Sequence, residues 1–331
     1  MTAHRRLLVA LAVVALVLAA CGVPRDREIG RIDKASATSA EVAAVYERYR
    51  EVRNAAIELL DPKPLSTIET GPALAIDTGS FEVSQRLNDS QQQNTGAIEI
   101  LDVETPRFTE YPLWYMSVAR DGARGVKRVQ IFERASAVDP WLLVSTPEAL
   151  ADTELPPIRT GSRGDAREVD ATDDTGMAMS AEDAAVAYVR TLANADAPEA
   201  ATIEADSFVA QMREAVVVNG GLDGVGFTQE WDSEPVQYVL RTADDGALAF
   251  VTLLRTDTYT VQDGLQVTWP DGSPQQAFLQ QGIQGVGTLN YYHQVLIYLP
   301  GGNDKPRNNK PRNNKPRVLG QFGGVVSGDA G

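Results

Sequence analysis

The sequence predicts an α+β fold of two similar domains, each with one or two helices packed on a curved antiparallel sheet. Three observations predict it. The block Ser39-Ala40-Glu41-Val42-Ala43-Ala44-Val45 recurs as Ser180-Ala181-Glu182-Asp183-Ala184-Ala185-Val186 with one mismatch in seven, which reads as an internal duplication. After each copy the apolar spacing changes from a helical stripe to strand-like runs divided by turn residues. The chain has 331 residues, more than a single hydrophobic core usually serves.

The elements follow in chain order. Residues 1–20 read as an export signal: Arg5 and Arg6, an apolar stretch from Leu7 to Ala20, then small residues before Cys21. The stretch is shorter than the ~20 residues a membrane-spanning helix needs. Residues 21–35 are a short charged tether containing Pro24. An N-terminal α+β domain is expected over 36–152. Thr38 and Glu41 have capping-box spacing, and Val42, Val45, Tyr46, Tyr49, Val52, Ala56 and Leu59 keep one apolar stripe until Asp61-Pro62 stops the helix. Strands are expected at Ala73–Ile76, Ala97–Val103, Leu113–Arg120, Val126–Arg134 and Trp141–Ser145, with a hairpin at Asp121-Gly122.

Residues 153–179 hold Pro156-Pro157, several glycines and clustered Asp and Thr, and read as a linker or loose interdomain loop. The C-terminal α+β domain is expected over 180–331. Ser180 and Asp183 repeat the capping spacing, and Ala185, Tyr188, Val189 and Leu192 form a stripe. A second helix is predicted at Glu204–Val218, with Phe208, Val209, Met212 and Val216 on one face and Asn219-Gly220-Gly221 as its stop. Strands are expected at Val225–Trp231, Val236–Thr242, Ala247–Val261, Leu289–Leu299 and Val318–Val326, with turns at Asp245-Gly246 and Asp263-Gly264.

Composition narrows the chemistry. There are 45 acidic and 30 basic residues, a net charge of −15, so the surface repels nucleic acid and anionic headgroups. Cys21 is the one cysteine, and His293 the one histidine outside the signal. Thiol chemistry in the folded part, thiolate metal sites and His-rich metal sites are therefore disfavoured. His293 reads as a satisfied or exposed strand histidine rather than a catalytic base.

Two motifs compete with bland readings. Ala75-Ile76-Asp77-Thr78-Gly79-Ser80 resembles the aspartic-protease signature, and Asp174-Thr175-Gly176 offers a second copy. The alternative is a strand-ending Asp-Thr-Gly turn. Within a basic loop at 303–317, Lys305, Arg307, Lys310, Arg312, Lys315 and Arg317 recur in a Lys-Pro-Arg-Asn-Asn repeat. They could contact a polyanion; the favoured reading is a repeat expansion that lengthens a loop at small entropic cost. The aromatics Trp114, Tyr115, Trp141, Trp231, Trp269 and Tyr291, with Tyr292 beside the last, read mainly as core, with a concave apolar ligand site as the alternative. Gly282 to Gly287 reads as a flexible turn, because its glycine spacing does not suit a phosphate loop.

Leu18-Ala19-Ala20-Cys21 resembles the bacterial lipobox. The resemblance implies cleavage between Ala20 and Cys21, diacylation of Cys21, and tethering to the outer face of the plasma membrane. An ordinary secretory signal with a chance cysteine is the alternative. Arg5-Arg6 is loosely compatible with twin-arginine export, although the general secretory route is favoured. The lipobox, the capped helix at Ser39, Gly71-Pro72-Ala73-Leu74-Ala75-Ile76-Asp77, and the strands around Leu296–Pro300 and Val318–Gly320 together resemble an uncharacterised family of actinobacterial secreted lipoproteins. That resemblance brings no catalytic residue, cofactor or metal. The layout is also similar to NTF2-like and cystatin-like domains, a fold analogy alone. The expected function is a non-enzymatic, membrane-anchored binding or envelope-assembly module, with an envelope protein or anionic polymer as partner and no nucleic acid. The alternatives are a carrier of lipid or a small apolar ligand, and a carboxylate-dependent hydrolase.

Overall fold

A computed structural model describes residues 34–87, 98–302 and 314–330. The fold is α+β. Helix α1 (Ser39–Leu59) starts at a complete capping box. The Glu41 amide donates to the Thr38 hydroxyl, and the Thr38 amide donates to Glu41 Oε2 at 2.8 Å. Helix α2 (Gly71–Leu87) follows a short 3-10 turn at Lys63–Thr67. After it come β2 (Ile98–Glu104), β4 (Leu113–Asp121), β5 (Val126–Arg134), β6 (Leu142–Ser145) and β7 (Glu148–Leu150). The strands β1 (Lys34–Ala35) and β3 (Arg107–Phe108) make a small ladder of their own.

The second half repeats the plan. Helix α3 (Ala181–Ala193) is capped by Ser180, and α4 (Ser207–Gly220) by Asp206. The strands are β8 (Val225–Ser233), β9 (Tyr238–Arg241), β10 (Ala247–Val261), β11 (Val286–Leu299) and β12 (Arg317–Ala330), with a short α5 (Pro274–Phe278) before β11. Among the described residues, the first half forms a five-stranded antiparallel sheet of order β2-β4-β5-β6 with β7 on β5. The second forms one of order β12-β11-β10-β8 with β9 on β10. Neither sheet closes into a barrel.

Strand alternation sorts side chains into layers. Odd residues of β4, such as Tyr115 and Ala119, pack under α1 with Tyr46, Tyr49 and Phe132. Even residues Trp114, Met116 and Val118 face the other way and meet Leu248, Phe250 and Leu296 of the second sheet. On the far side, Ala249, Val251, Val295 and Ile297 pack under α3 and α4. The layers therefore run helix, sheet, sheet, helix. Each fully buried residue of the shared layer, such as Leu248, contributes about 1.5–3 kcal/mol. Gln294 also bonds the halves, accepting from the Thr146 amide at 2.8 Å and donating to the Val144 carbonyl at 2.9 Å.

Four expectations are corrected. Ala73–Ile76 is not a strand but the first turns of α2. Gly71 takes a positive φ of 56°, Pro72 suits a first helical turn, and Ala73, Ile76, Asp77, Phe81 and Ser84 form a buried helical stripe. Asp77-Thr78-Gly79 is accordingly no turn. Gly79 lies where the backbone of β12 crosses the helix, and a Cβ there would collide with the Val325 carbonyl. Val216 does not share the buried face of Phe208, Val209 and Met212, since it is 40% exposed beside the exposed Val217 and Val218. Leu59 likewise leaves the buried stripe of α1, being exposed in its last turn.

The segment 153–179 has no helix or long strand, yet it is held along β9. The Val169 amide donates to the Val239 carbonyl, and the Arg241 amide to the Arg167 carbonyl.

Candidate functional site

Beneath α1 and α2 the first sheet carries polar side chains where a core would ordinarily be apolar. Tyr46 donates to Gln130 Oε1 at 2.7 Å and lies 2.7 Å from the Ser117 hydroxyl. Arg128 donates to Asp121 at 2.7 Å. Arg53 on α1 pairs with Asp77 on α2 and donates to Glu69 Oε1 at 3.1 Å, which also accepts from the Tyr49 phenol at 3.0 Å. Two carboxyls thus share one buried guanidinium. Burial, then the Asp77 charge, holds Glu69 well above the usual carboxylate range. Burial would raise Asp77 too, but the adjacent Arg53 pulls it below its ordinary value. Of the two, Glu69 is the carboxyl that binds a proton more tightly.

This arrangement settles where the protease-like motif lies. Asp77 is 6% exposed within a helix. Asp174 is exposed in a turn of the 153–179 segment. The structure does not bring the two together; the carboxyl beside Asp77 is Glu69. Both of its side chains are closed off from solvent.

The second half has a comparable buried group under α4. Arg255 donates to Asp257 and sits 4.1 Å from the Tyr291 ring centroid. His293 lies in β11 among Phe208, Trp231 and Tyr291, with Nδ1 3.1 Å from Gln321 Nε2. Burial, and next the Arg255 charge, lowers His293 to about 3, so the ring is neutral.

An open cleft of about 300 Å³ lies beside this group along α1, and Tyr49 belongs to both. Five positions of α1 line it: Glu41, Ala44, Val45, Arg48 and Tyr49. They fall on one helical stripe beside the core stripe. Its floor is Ile68, Phe132 and Trp141, and Arg134, Asp139 and Pro140 complete the rim. Tyr115 supports the floor, stacked on Phe132 at 5.3 Å and edge-on to Trp141 at 5.0 Å. The Tyr115 hydroxyl and the Trp141 indole nitrogen are buried without a hydrogen-bond partner among the described residues. Arg48 is fixed by the Thr67 carbonyl at 2.8 Å and Arg134 by the Ser136 carbonyl at 3.1 Å. Aromatic walls with a few placed charges suit capture of a small molecule. Ser, Thr, Cys, Lys and His are absent from this lining, so the cleft presents no ordinary nucleophile or base beyond its rim carboxylates.

Of the residues singled out from sequence, Glu41, Val45, Tyr49 and Trp141 line the cleft, and Tyr115 packs behind its floor. Lys315 and Arg317 are exposed at the start of β12, with Arg317 5.0 Å from the Tyr298 ring centroid. Ala20, Cys21, Lys305, Arg307, Lys310 and Arg312 lie outside the described residues. Ala44 and Arg48 carry no signal of the cleft, because an alanine and a charged residue on α1 look like a solvated face. Among the described residues no group of metal-ligating side chains is found, and no helix is long and apolar enough to cross a membrane.

A family model described as a domain of unknown function (DUF8094) matches residues 34–328. No curated protein and no solved structure matches the chain.

Proposed function

The chain belongs to the family of the domain of unknown function DUF8094, and from that premise we propose that it is a lipid-anchored extracytoplasmic binding module. Its α1 cleft takes a small apolar or aromatic ligand. The cleft carries the reading: about 300 Å³, with an aromatic floor and fixed charges at its rim. The anchor rests on Leu18-Ala19-Ala20-Cys21. Two acyl chains on Cys21 would supply stable attachment that the acidic surface cannot.

A carboxylate-dependent hydrolase fits less well. The Glu69–Asp77 pair is held by Arg53 and closed to solvent, and a substrate cannot reach it without opening the α1–α2 layer.

Two experiments test the two parts. Metabolic labelling with a fatty-acid analogue marks the wild-type chain and leaves Cys21→Ser unlabelled in the soluble fraction; equal labelling of both would refute the anchor. Titrating an organic extract of the native envelope changes the tryptophan emission of the wild type but not of Trp141→Phe. An unchanged wild-type emission, or an equal response from the variant, would refute the cleft as the ligand site.

A further inference from the structure

A second cleft of about 300 Å³ opens between the two sheets, at the edge formed by β2. Its walls are apolar: Met116 and Val118 from β4, Leu155 and Ile158 from the strap along β9, and Leu248 from β10. Asp102 and Glu104 stand on one lip.

Their position depends on a bulge. Before it, Ile98 and Ile100 pair with Asp121 and Ala119 and share their helix-facing side. Leu101 is an extra residue in the ladder, so Asp102 pairs with Val118 and Glu104 with Met116. One inserted residue reverses the parity of the strand. Without it, Asp102 and Glu104 would point under the helices. With it they face the space between the sheets, while Val103 takes its place in the α1 core.

Glu104 is half-buried and has no hydrogen-bond or ion-pair partner among the described residues. Lys127 also lines the cleft, but its ammonium donates to the Thr153 carbonyl at 2.7 Å. It does not offset the carboxyl: burial, reinforced by Asp102, holds Glu104 up at about 7. An apolar recess with an uncompensated carboxylate on its lip complements a ligand that is apolar along its length and cationic at one end. Such a ligand buries its chain and meets the carboxylate at the rim, where its charge keeps part of its hydration.

We propose that the inter-sheet cleft binds a small amphipathic organic cation, an ammonium on a short alkyl chain, with Glu104 and Asp102 as its charge partners and Met116, Val118 and Leu248 as its apolar seat. This site is separate from the α1 cleft.

The test is isothermal titration and amide chemical-shift mapping of the intact mature chain with n-octylammonium, below its micelle concentration. Octanol and octanoate serve as chain-matched controls. Octylammonium shifts the amides of β2, Leu155 and Ile158, and Glu104→Gln weakens it about tenfold, the loss of one charge-assisted contact. Leu155→Trp, which fills the recess, removes binding while the amide spectrum stays folded. Octanol binding as tightly as octylammonium would overturn the proposal. Unchanged affinity in Glu104→Gln, shifts confined to Phe132 and Trp141, or no binding to the folded wild type would do the same. A ligand found only in the α1 cleft sinks this site and leaves the proposed function standing.

Discussion

Asp77 and His293 are buried ionisable residues whose roles can be separated by stability measurements. Asp77 balances Arg53, which has only 9% of its side chain exposed. Removing one member of such a pair leaves a buried charge unmatched and costs about 3–5 kcal/mol. Asp77→Ala is therefore expected to lower the denaturant midpoint strongly, and Asp77→Asn less, as measured by urea unfolding. A hydrolytic centre would instead lose turnover with little change in stability. His293 has its folded pKa lowered from 6.5 to about 3. The unfolded chain binds the proton first, so its contribution to stability is present above about pH 6.5 and is lost as pH falls towards 3. The loss is on the order of a few kcal/mol. His293→Gln should flatten the fall in thermal midpoint across that window; an unchanged acid slope would contradict neutral burial. The sequence revealed His293 as a strand residue. It could not reveal that Phe208 and Trp231, remote in sequence, would seal it.

At the scale of elements, both helix starts were legible because capping is local chemistry within four residues. Thr38→Ala should cost about 1 kcal/mol, read as a lower thermal midpoint with unchanged helix content by circular dichroism. A loss indistinguishable from zero would mean that the Glu41 contact is only incidental. The long strands β10 and β11 were legible from alternation and turn chemistry. Helix α2 was not. Ala73–Ile76 is a short apolar run that periodicity alone cannot assign, and the helical stripe becomes clear only when Phe81 and Ser84 join it. The bulge at Leu101 was equally hidden. Its cause is the register with β4, and the sequence of β2 carries no glycine to announce it. The α1 cleft was partly legible: Tyr115 and Trp141 stood out as aromatics. Its helical wall became visible only where the chain at 139–141 leaves a gap beside Arg48.

For the whole molecule, the two halves share a layer in which Trp114, Met116, Val129 and Ile131 meet Leu240, Leu248, Phe250 and Leu296. Neither half can cover that face alone. Helix α2 adds to the joint by packing Val83 among Tyr259, Leu289 and Val325 of the second half. The intact chain is expected to unfold in one cooperative transition, with coincident melts by tryptophan emission and circular dichroism. The fragment 36–152 should bind a hydrophobic dye and aggregate. Two resolved transitions, or a monomeric native-like fragment, would show that the shared layer is dispensable. The duplicated plan was legible from the Ser39 and Ser180 blocks. The face-to-face packing was not, because an apolar strand face does not say which sheet will cover it.

The proposed function turns on a ligand held in the α1 cleft. Native mass spectrometry of the chain from Gly22 onward, purified from its own cell envelope, tests it most directly when the wild type is compared with Ala44→Trp. Ala44 is an exposed position lining the cleft, so tryptophan fills the space without entering the core. The wild type should carry a bound small-molecule mass that disappears in the variant. A bare wild-type chain, or the same adduct on both proteins, would contradict it.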